Sequence, residues 1–169
     1  MKVRIVERDV MDPLADTCMD EMPVNGVGDV KTVTLLDNTK PGARTILEAV
    51  ESSLEGLRFL WSEKPAGAPA SEDQINRAGE GDLCILALGD CGSCTTWVIL
   101  DAIRLEGMGV PTISICSDTF REYAEKLAAA HGMPGLRIVE IEHPVAGLET
   151  EEILRKARKI MPAIVDHLR

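Results

Sequence analysis

The chain reads as a three-layer α/β domain, a doubly wound, mostly parallel five-stranded sheet. Three observations carry that reading. Short apolar runs alternate five times with segments of helical periodicity. The run Leu83-Cys84-Ile85-Leu86-Ala87-Leu88 is apolar without a break, which suits a central strand covered on both faces. Crossovers between parallel strands are right-handed, so units of this kind place helices on both sides of one sheet.

Taken in order, residues 1–30 stand apart as an N-terminal arm, and residues 31–169 form a single α/β domain built around a thiol site. Within the arm Val3-Arg4-Ile5-Val6 alternates weakly, as an edge strand does, and Pro13, Pro23, Gly26 and Gly28 punctuate the remainder. The arm is expected to pack on its own domain or on a second subunit. Val33 to Leu36 is the first strand of the regular pattern. A turn from Asp37 to Gly42 leads to a helix over 43–57, with Pro41 near its start. Arg58 to Trp61 is a second strand. Ser71 and Gln74 have capping-box spacing at the head of a second helix, which stops at Gly79 or Gly81.

The apolar run at Leu83 is the third strand. A helix from Cys94 to Met108 follows, closed by Gly109. Pro111 precedes the fourth strand, Thr112 to Cys116. Ser117-Asp118 is expected to cap a helix to His131, where His131 and Gly132 close it. Leu136 to Ile141 is the fifth strand, and Thr150 to Leu168 the last, amphipathic helix. The order is Rossmann-like or flavodoxin-like. Open sheets of this kind bind ligands beyond the carboxyl ends of their strands.

Composition excludes several roles. Eighteen Lys and Arg face 28 Asp and Glu, a net charge of −10, where a binder that tracks nucleic-acid phosphates needs a basic stripe. Aromatics are 3%, too few for stacking single-stranded bases. The first residues carry charges throughout, unlike a secretory leader, and no window has the ~18 apolar residues of a membrane span. A cytoplasmic protein that touches neither nucleic acid nor membrane is expected. It carries five cysteines (Cys18, Cys84, Cys91, Cys94 and Cys116), an odd number that cannot all pair within the chain.

Gly89-Asp90-Cys91-Gly92-Ser93-Cys94-Thr95 lies between the buried strand and a helix. A thiol at a helix start meets free amides and the positive end of the dipole, which stabilise the nucleophilic thiolate. Cys91 is expected to attack, and Cys94 to release the adduct as a disulfide. Metal binding and plain packing are the other readings of a lone C-x-x-C, but a structural zinc needs four ligands and no second pair is present, so no metal is expected.

Cys84 reads as a packed core residue. His143, fixed by Pro144, reads as a proton carrier or as a hydrogen-bonded loop residue. Asp90 reads as a proton acceptor or a helix cap, and Lys40 as a ligand for a substrate carboxylate or as a surface lysine. The catalytic candidates are therefore Cys91, Cys94 and His143. The substrate-binding candidates are Asp37, Asn38, Thr39, Lys40, Asp90, Gly92, Ser93, Thr95, Cys116 and Ser117, all near the carboxyl edge. A Gly-x-Gly-x-x-Gly run and a Walker loop are missing, so no nucleotide cofactor is expected.

The segments Gly89 to Thr95 and Leu36-Asp37-Asn38-Thr39-Lys40-Pro41 resemble the signature and first loop of the UGSC family of (seleno)proteins, over roughly residues 30–148. The order of Cys91-Gly92-Ser93-Cys94-Thr95, Gly109-Val110-Pro111 and His143-Pro144 with Gly147 is also similar to the selenoprotein subunit of component B of glycine, sarcosine and betaine reductases. That resemblance implies that Cys91 takes the place of a selenocysteine that attacks a substrate carbon, with Cys94 as its partner. A third likeness is to the Asp/Glu racemase superfamily, through Cys91 or Cys94, Gly109-Val110-Pro111 and Ser114 to Ser117. Those enzymes use two cysteines from a duplicated fold, and Asp37-Asn38 stands where the first would be.

The expected function is thiol-dependent reductive cleavage or redox conversion of a small polar substrate, regenerated by a thiol reductant system, in a homodimer. A cysteine-dependent isomerase or lyase without a redox cycle is the alternative. A non-catalytic partner subunit or metal-binding module is a further one.

Overall fold

A computed structural model describes residues 20–168 of the chain. The expected edge strand at Val3 to Val6, and Cys18, lie outside the described residues. Five strands form one sheet: β1 (Thr32–Asp37), β2 (Arg58–Glu63), β3 (Leu83–Gly89), β4 (Thr112–Ser117) and β5 (Ile138–Ile141). Their order is β2-β1-β3-β4-β5 and every neighbouring pair is parallel. This is the 2-1-3-4-5 order of a doubly wound fold. The chain winds outward from β1 to β2, then returns to the other side of β1 for β3. The carboxyl ends of β1 and β3 therefore flank the point where the winding reverses.

Alternation along the strands divides the core into two layers. Val33 and Leu35 of β1, Ile85 of β3 and Ile113 and Ile115 of β4 pack against α1 (Ala43–Ser53) and α5 (Thr150–His167). Leu36, Cys84, Leu86 and Cys116 face α2 (Glu72–Ala78), α3 (Gly92–Gly107) and α4 (Arg121–Ala130). On α5 the buried stripe is Ile153, Ala157, Ile160 and Ile164, the i, i+4, i+7 spacing of an amphipathic helix. Each large apolar side chain of these layers contributes about 1.5–3 kcal/mol by leaving water.

Three boundaries differ from the sequence reading, each for a local reason. Helix α1 stops at Ser53 because Leu54 leaves helical geometry at φ −107° and Gly56 turns left-handed at φ 82°. Leu54 still reaches the core, from outside the helix. Helix α3 starts at Gly92, so that Cys91 is its N-cap. After β4 a single 3-10 turn (Asp118–Phe120) precedes α4, and Ser117 makes no capping bond. The expected capping box of α2 forms, with Ser71 and Gln74 bonding reciprocally. His131 is the C-cap of α4, and Gly132 comes next at φ 79°.

Charged side chains are buried at two places along α3. At its carboxyl end Glu106 accepts from Thr112 N at 2.8 Å, from Arg137 at 3.2 Å and from Asn25 N at 2.7 Å, which pins residues near 25 to the domain. Past its middle, Asp101 forms a fully buried ion pair with Lys64. Lys64 also donates to Ala68 O at 2.9 Å and Trp97 O at 3.3 Å, and Asp101 accepts from Ala70 N at 3.1 Å. The pair straps the loop after β2 onto α3. Burial pulls the Lys64 ammonium below its ordinary range, and Asp101 opposes that pull. Among the described residues no helix is long and apolar enough to cross a membrane.

Removing one partner of a buried pair strands the other charge, so Asp101→Ala is expected to lower unfolding free energy by about 3–5 kcal/mol. The double variant Lys64→Met/Asp101→Leu is expected to recover part of that loss. Urea denaturation of the single and double variants measures both.

Candidate functional site

The loop after β3 is shaped by an irregularity in the sheet. Ala87 pairs with Ile115 and Gly89 with Cys116, so Leu88 is an extra residue, a bulge. Leu88 packs in the same layer as Ile85 and Ala87, where strict alternation would send it to the other face. Its backbone is completed from the loop after β1. Asn38 Oδ1 accepts from Leu88 N at 2.9 Å, and Asn38 Nδ2 donates to Leu88 O at 2.9 Å. The Asn38 amide thus acts as a piece of ladder at the switch point. This pairing uses both ends of the side chain and places Asn38 as a structural group.

Gly89 then passes between β4 and α3. A side chain there would meet Cys116 Sγ at 2.6 Å and Thr95 Oγ1 at 2.9 Å. Cys91 comes next but one, in extended geometry, and caps α3 with its sulfur, which accepts from Cys94 N at 3.3 Å. Thr95 Oγ1 donates to Cys91 O at 2.8 Å. Thr95 is buried and its hydroxyl is occupied by that bond. Cys91 and Cys94 are joined as a disulfide. Cys91 is partly exposed, whereas Cys94 is 3% exposed. Gly92 and Ser93 are at the surface, with Ser93 Oγ 3.6 Å from Cys91 Sγ.

The loop after β1 brings Lys40 to the same place. Its Nζ lies 3.9 Å from Cys91 Sγ. Lys40 N donates to Asn38 Oδ1 at 3.2 Å, and Thr39 adopts φ 54°, a left-handed conformation uncommon for a β-branched residue. Thr39 N donates to Asp37 Oδ1 at 2.7 Å, and Thr39 Oγ1 to Lys64 O at 3.1 Å. Asp37 is 3% exposed and serves this turn. Burial holds its carboxyl above the ordinary range, with the Thr39 N–H working against that.

His143 arrives from the loop after β5. Its Nδ1 lies 2.9 Å from Asp90 Oδ1 and 3.2 Å from Ser117 Oγ. Ser117 Oγ donates to Gly89 O at 3.3 Å, so its lone pairs face the ring. Both contacts assign the hydrogen of a neutral ring to Nδ1. Asp90 Oδ2 accepts from Val145 N at 3.1 Å and Ala146 N at 2.8 Å. Asp90 therefore turns away from α3 and holds the histidine loop, and the sulfur of Cys91 does the capping. Gly42 lets that loop close against α1, because a side chain there would meet Val145 Cγ1 at 2.7 Å.

Cys116 does not join the surface. It is fully buried in the layer under α3, and burial pushes its thiol up to about 12. The expectation that it lines a substrate site is corrected, because the Gly89 backbone lies over its sulfur. Two groups that position the site escape sequence reasoning. One is the Lys64–Asp101 strap. The other is Lys156, which donates to Glu142 O at 3.1 Å and Pro144 O at 2.8 Å, on either side of His143. A signal for Lys156 exists, since it falls beside Ile153, Ala157 and Ile160 on the apolar stripe of α5. Among the described residues no three His, Cys, Asp or Glu side chains are placed to hold a metal ion.

Two outcomes test this geometry. Gly89→Ala is expected to destabilise the fold by about 1–3 kcal/mol through overpacking, and Cys116→Ala in the same chain to relieve part of it. Thermal melts of the two proteins read the difference. Asp37 contributes stability that is full below the unfolded carboxyl value of about 3.9 and is lost as pH rises through its higher folded value. Asp37→Asn keeps the acceptor for Thr39 and removes the titration. Its stability relative to the parent is therefore expected to rise from about pH 4 towards neutrality, read by urea denaturation across that range.

No curated protein matches the chain. Its backbone is similar to a short-chain flavodoxin associated with a PDU bacterial microcompartment, at 11% identity and TM-score 0.44, over 82% of this chain and 97% of the other. An FMN-dependent NADH-azoreductase from Bacillus anthracis str. Ames Ancestor aligns at 10% identity and TM-score 0.41, over 82% and 99% of the two chains. A flavodoxin from Streptococcus pneumoniae TIGR4 aligns at 16% identity and TM-score 0.38, over 79% and 97%. The fold rests on the strand order itself. The sequence pattern of the UGSC family matches residues 9–169, from the arm through the last helix, and the chain belongs to that family.

Proposed function

We propose that this protein is a thiol-dependent oxidoreductase acting on a small polar electrophile, with Cys91 as nucleophile and Cys94 as resolving thiol. The observation that supports this most is the asymmetry of the pair: one sulfur at the surface and capping a helix, the other buried one turn along. A thiolate at Cys91 gains the Cys94 N–H, the helix dipole and the Lys40 ammonium. It attacks an electrophilic sulfur and expels a thiolate, leaving a mixed disulfide. Cys94 then loses its proton, attacks Cys91 Sγ and expels the second thiolate. The enzyme ends as the Cys91–Cys94 disulfide, two electrons having passed to the substrate, and an external dithiol restores it. Lys40 faces the substrate side, Asn38 holds the loop that carries it, and His143 carries a proton to a leaving group.

The tie between His143 and Asp90 favours a second reading, in which the same thiol and a proton carrier isomerise or cleave a substrate without a redox cycle. Cys94 separates the two, since only the redox reading needs it.

The reduced protein treated with the aromatic disulfide 5,5′-dithiobis(2-nitrobenzoate) is expected to release two thiolates from the Cys91–Cys94 pair and return to the disulfide. Cys94→Ser is expected to release one there and hold a stable mixed disulfide at Cys91, seen by peptide mass spectrometry. Cys91→Ser is expected to lose the fast phase. An equally fast phase in Cys91→Ser would reject Cys91 as the nucleophile.

A further inference from the structure

We infer that the Cys91 site selects an anionic electrophile, whose carboxylate or equivalent charge lies within a few bonds of the attacked atom, and that Lys40 reads that charge. This rests on the reading of Cys91 as a nucleophile and adds the substrate's chemical class. The molecule carries a net charge of −10, so its overall field repels anions, and an anion that binds here needs a cation at the point of contact. Lys40 supplies one. Among the described residues no carboxylate lies within ion-pairing distance of its ammonium, which sits 3.9 Å from Cys91 Sγ.

The other cations of these loops are engaged. Lys64 is held by Asp101, and Lys156 by the carbonyls of Glu142 and Pro144. Arg44 pairs with Glu48 and Glu63, and Arg121 with Glu125 and Glu140. The nearby carboxylates of Asp37 and Asp90 are turned into the protein and bonded to backbone amides. Asp118 is exposed, but its Oδ1 accepts from His143 N and Thr119 N.

The chemistry of attack gives Lys40 this task. Before reaction its ammonium faces the Cys91 thiolate. When the thiolate forms its bond to carbon or sulfur, the charge leaves with the departing group, and Lys40 loses its partner. A negative group carried next to the attacked atom takes its place, so an anionic substrate is favoured as the bond forms. The backbone holds Lys40 ready for this. Its N–H is bonded to Asn38 Oδ1, and its carbonyl accepts from Ala43 N at 2.9 Å.

Iodoacetate and iodoacetamide test the point, since the two differ in charge at one position and each alkylates the thiolate with loss of iodide. Their rates at Cys91 are measured on the reduced full chain by peptide mass spectrometry, on the high-pH plateau where the thiol is fully ionised. The iodoacetate-to-iodoacetamide ratio is expected to exceed that of free cysteine by about fivefold, the worth of one exposed ion pair. Lys40→Met is expected to abolish that excess, and Lys40→Arg to keep most of it. High salt is expected to shrink it in the parent.

An equal ratio in the parent and Lys40→Met, with both reagents slowed alike, would overturn the inference and leave Lys40 a partner of the thiolate alone. Loss of the excess in Lys40→Arg as well would overturn the assignment to charge. If neither reagent labels Cys91 of the parent faster than a free thiol at neutral pH, where a free thiol is mostly protonated, the nucleophile reading itself fails, and this inference with it.

Discussion

A side chain at position 89 would overlap Cys116 on one side and Thr95 on the other. Strand β3 leaves the sheet through that gap, and the contact sets the path of the cysteine loop. Since the backbone passes directly over the Cys116 sulfur, the first turn of α3 sits low against the end of the sheet. The Leu88 bulge adds twist just before the gap, and the Asn38 amide takes up the two backbone groups that the bulge leaves open. Cys91 emerges where its sulfur can cap the helix. A bulkier residue at 89 would lift that turn and separate Cys91 from the Lys40 loop.

Three loops meet at this point, and buried charges hold them there. Asp90 fastens the histidine loop to the cysteine loop through three bonds, Lys156 grips the same loop from behind, and Lys64–Asp101 straps the loop after β2 beside Ser93. A buried ion pair is weak evidence for stability, because desolvation offsets much of its attraction. Its value here is geometric. Each charge accepts from or donates to backbone groups that would otherwise be unsatisfied in a loop, so each loop has one low-energy position. The arm segment at Asn25 is held in the same manner by Glu106, at the opposite edge of the sheet, so it constrains the domain without entering the site.

The layers were legible because they arise from periodicity. The apolar run of β3, the helical spacing on α1 and α5 and the capping box at Ser71 each announce themselves in a few consecutive residues. The cysteine pair was legible as chemistry for the same reason. Contacts distant in sequence were not. Asn38 and Leu88 are 50 residues apart, and Asp90 and Ala146 are 56 apart. Asp90 lay next to a helix start and so read as a cap or a base, when its partners were in a loop that adjacency does not reveal. Cys116 lies near the carboxyl end of β4, and a glycine of another strand packs over its sulfur. Lys64 and Lys156 sit where surface lysines are common, and only the apolar neighbours of Lys156 mark it as buried.

The start of α3 is held by bonds that do not involve the sulfurs. Thr95 bonds Cys91 O through both its amide and its hydroxyl, and neither bond involves sulfur. The start of α3 is therefore held whether Cys91 and Cys94 are joined or separate. What oxidation removes is charge. In the proposed mechanism a reduced Cys91 presents a thiolate beside Lys40, and the disulfide presents none. On the proposed redox reading, a change at the pair is expressed as a change in the electrostatic field beside the Lys40 ammonium, while the bonds from Thr95 to Cys91 O keep their partners.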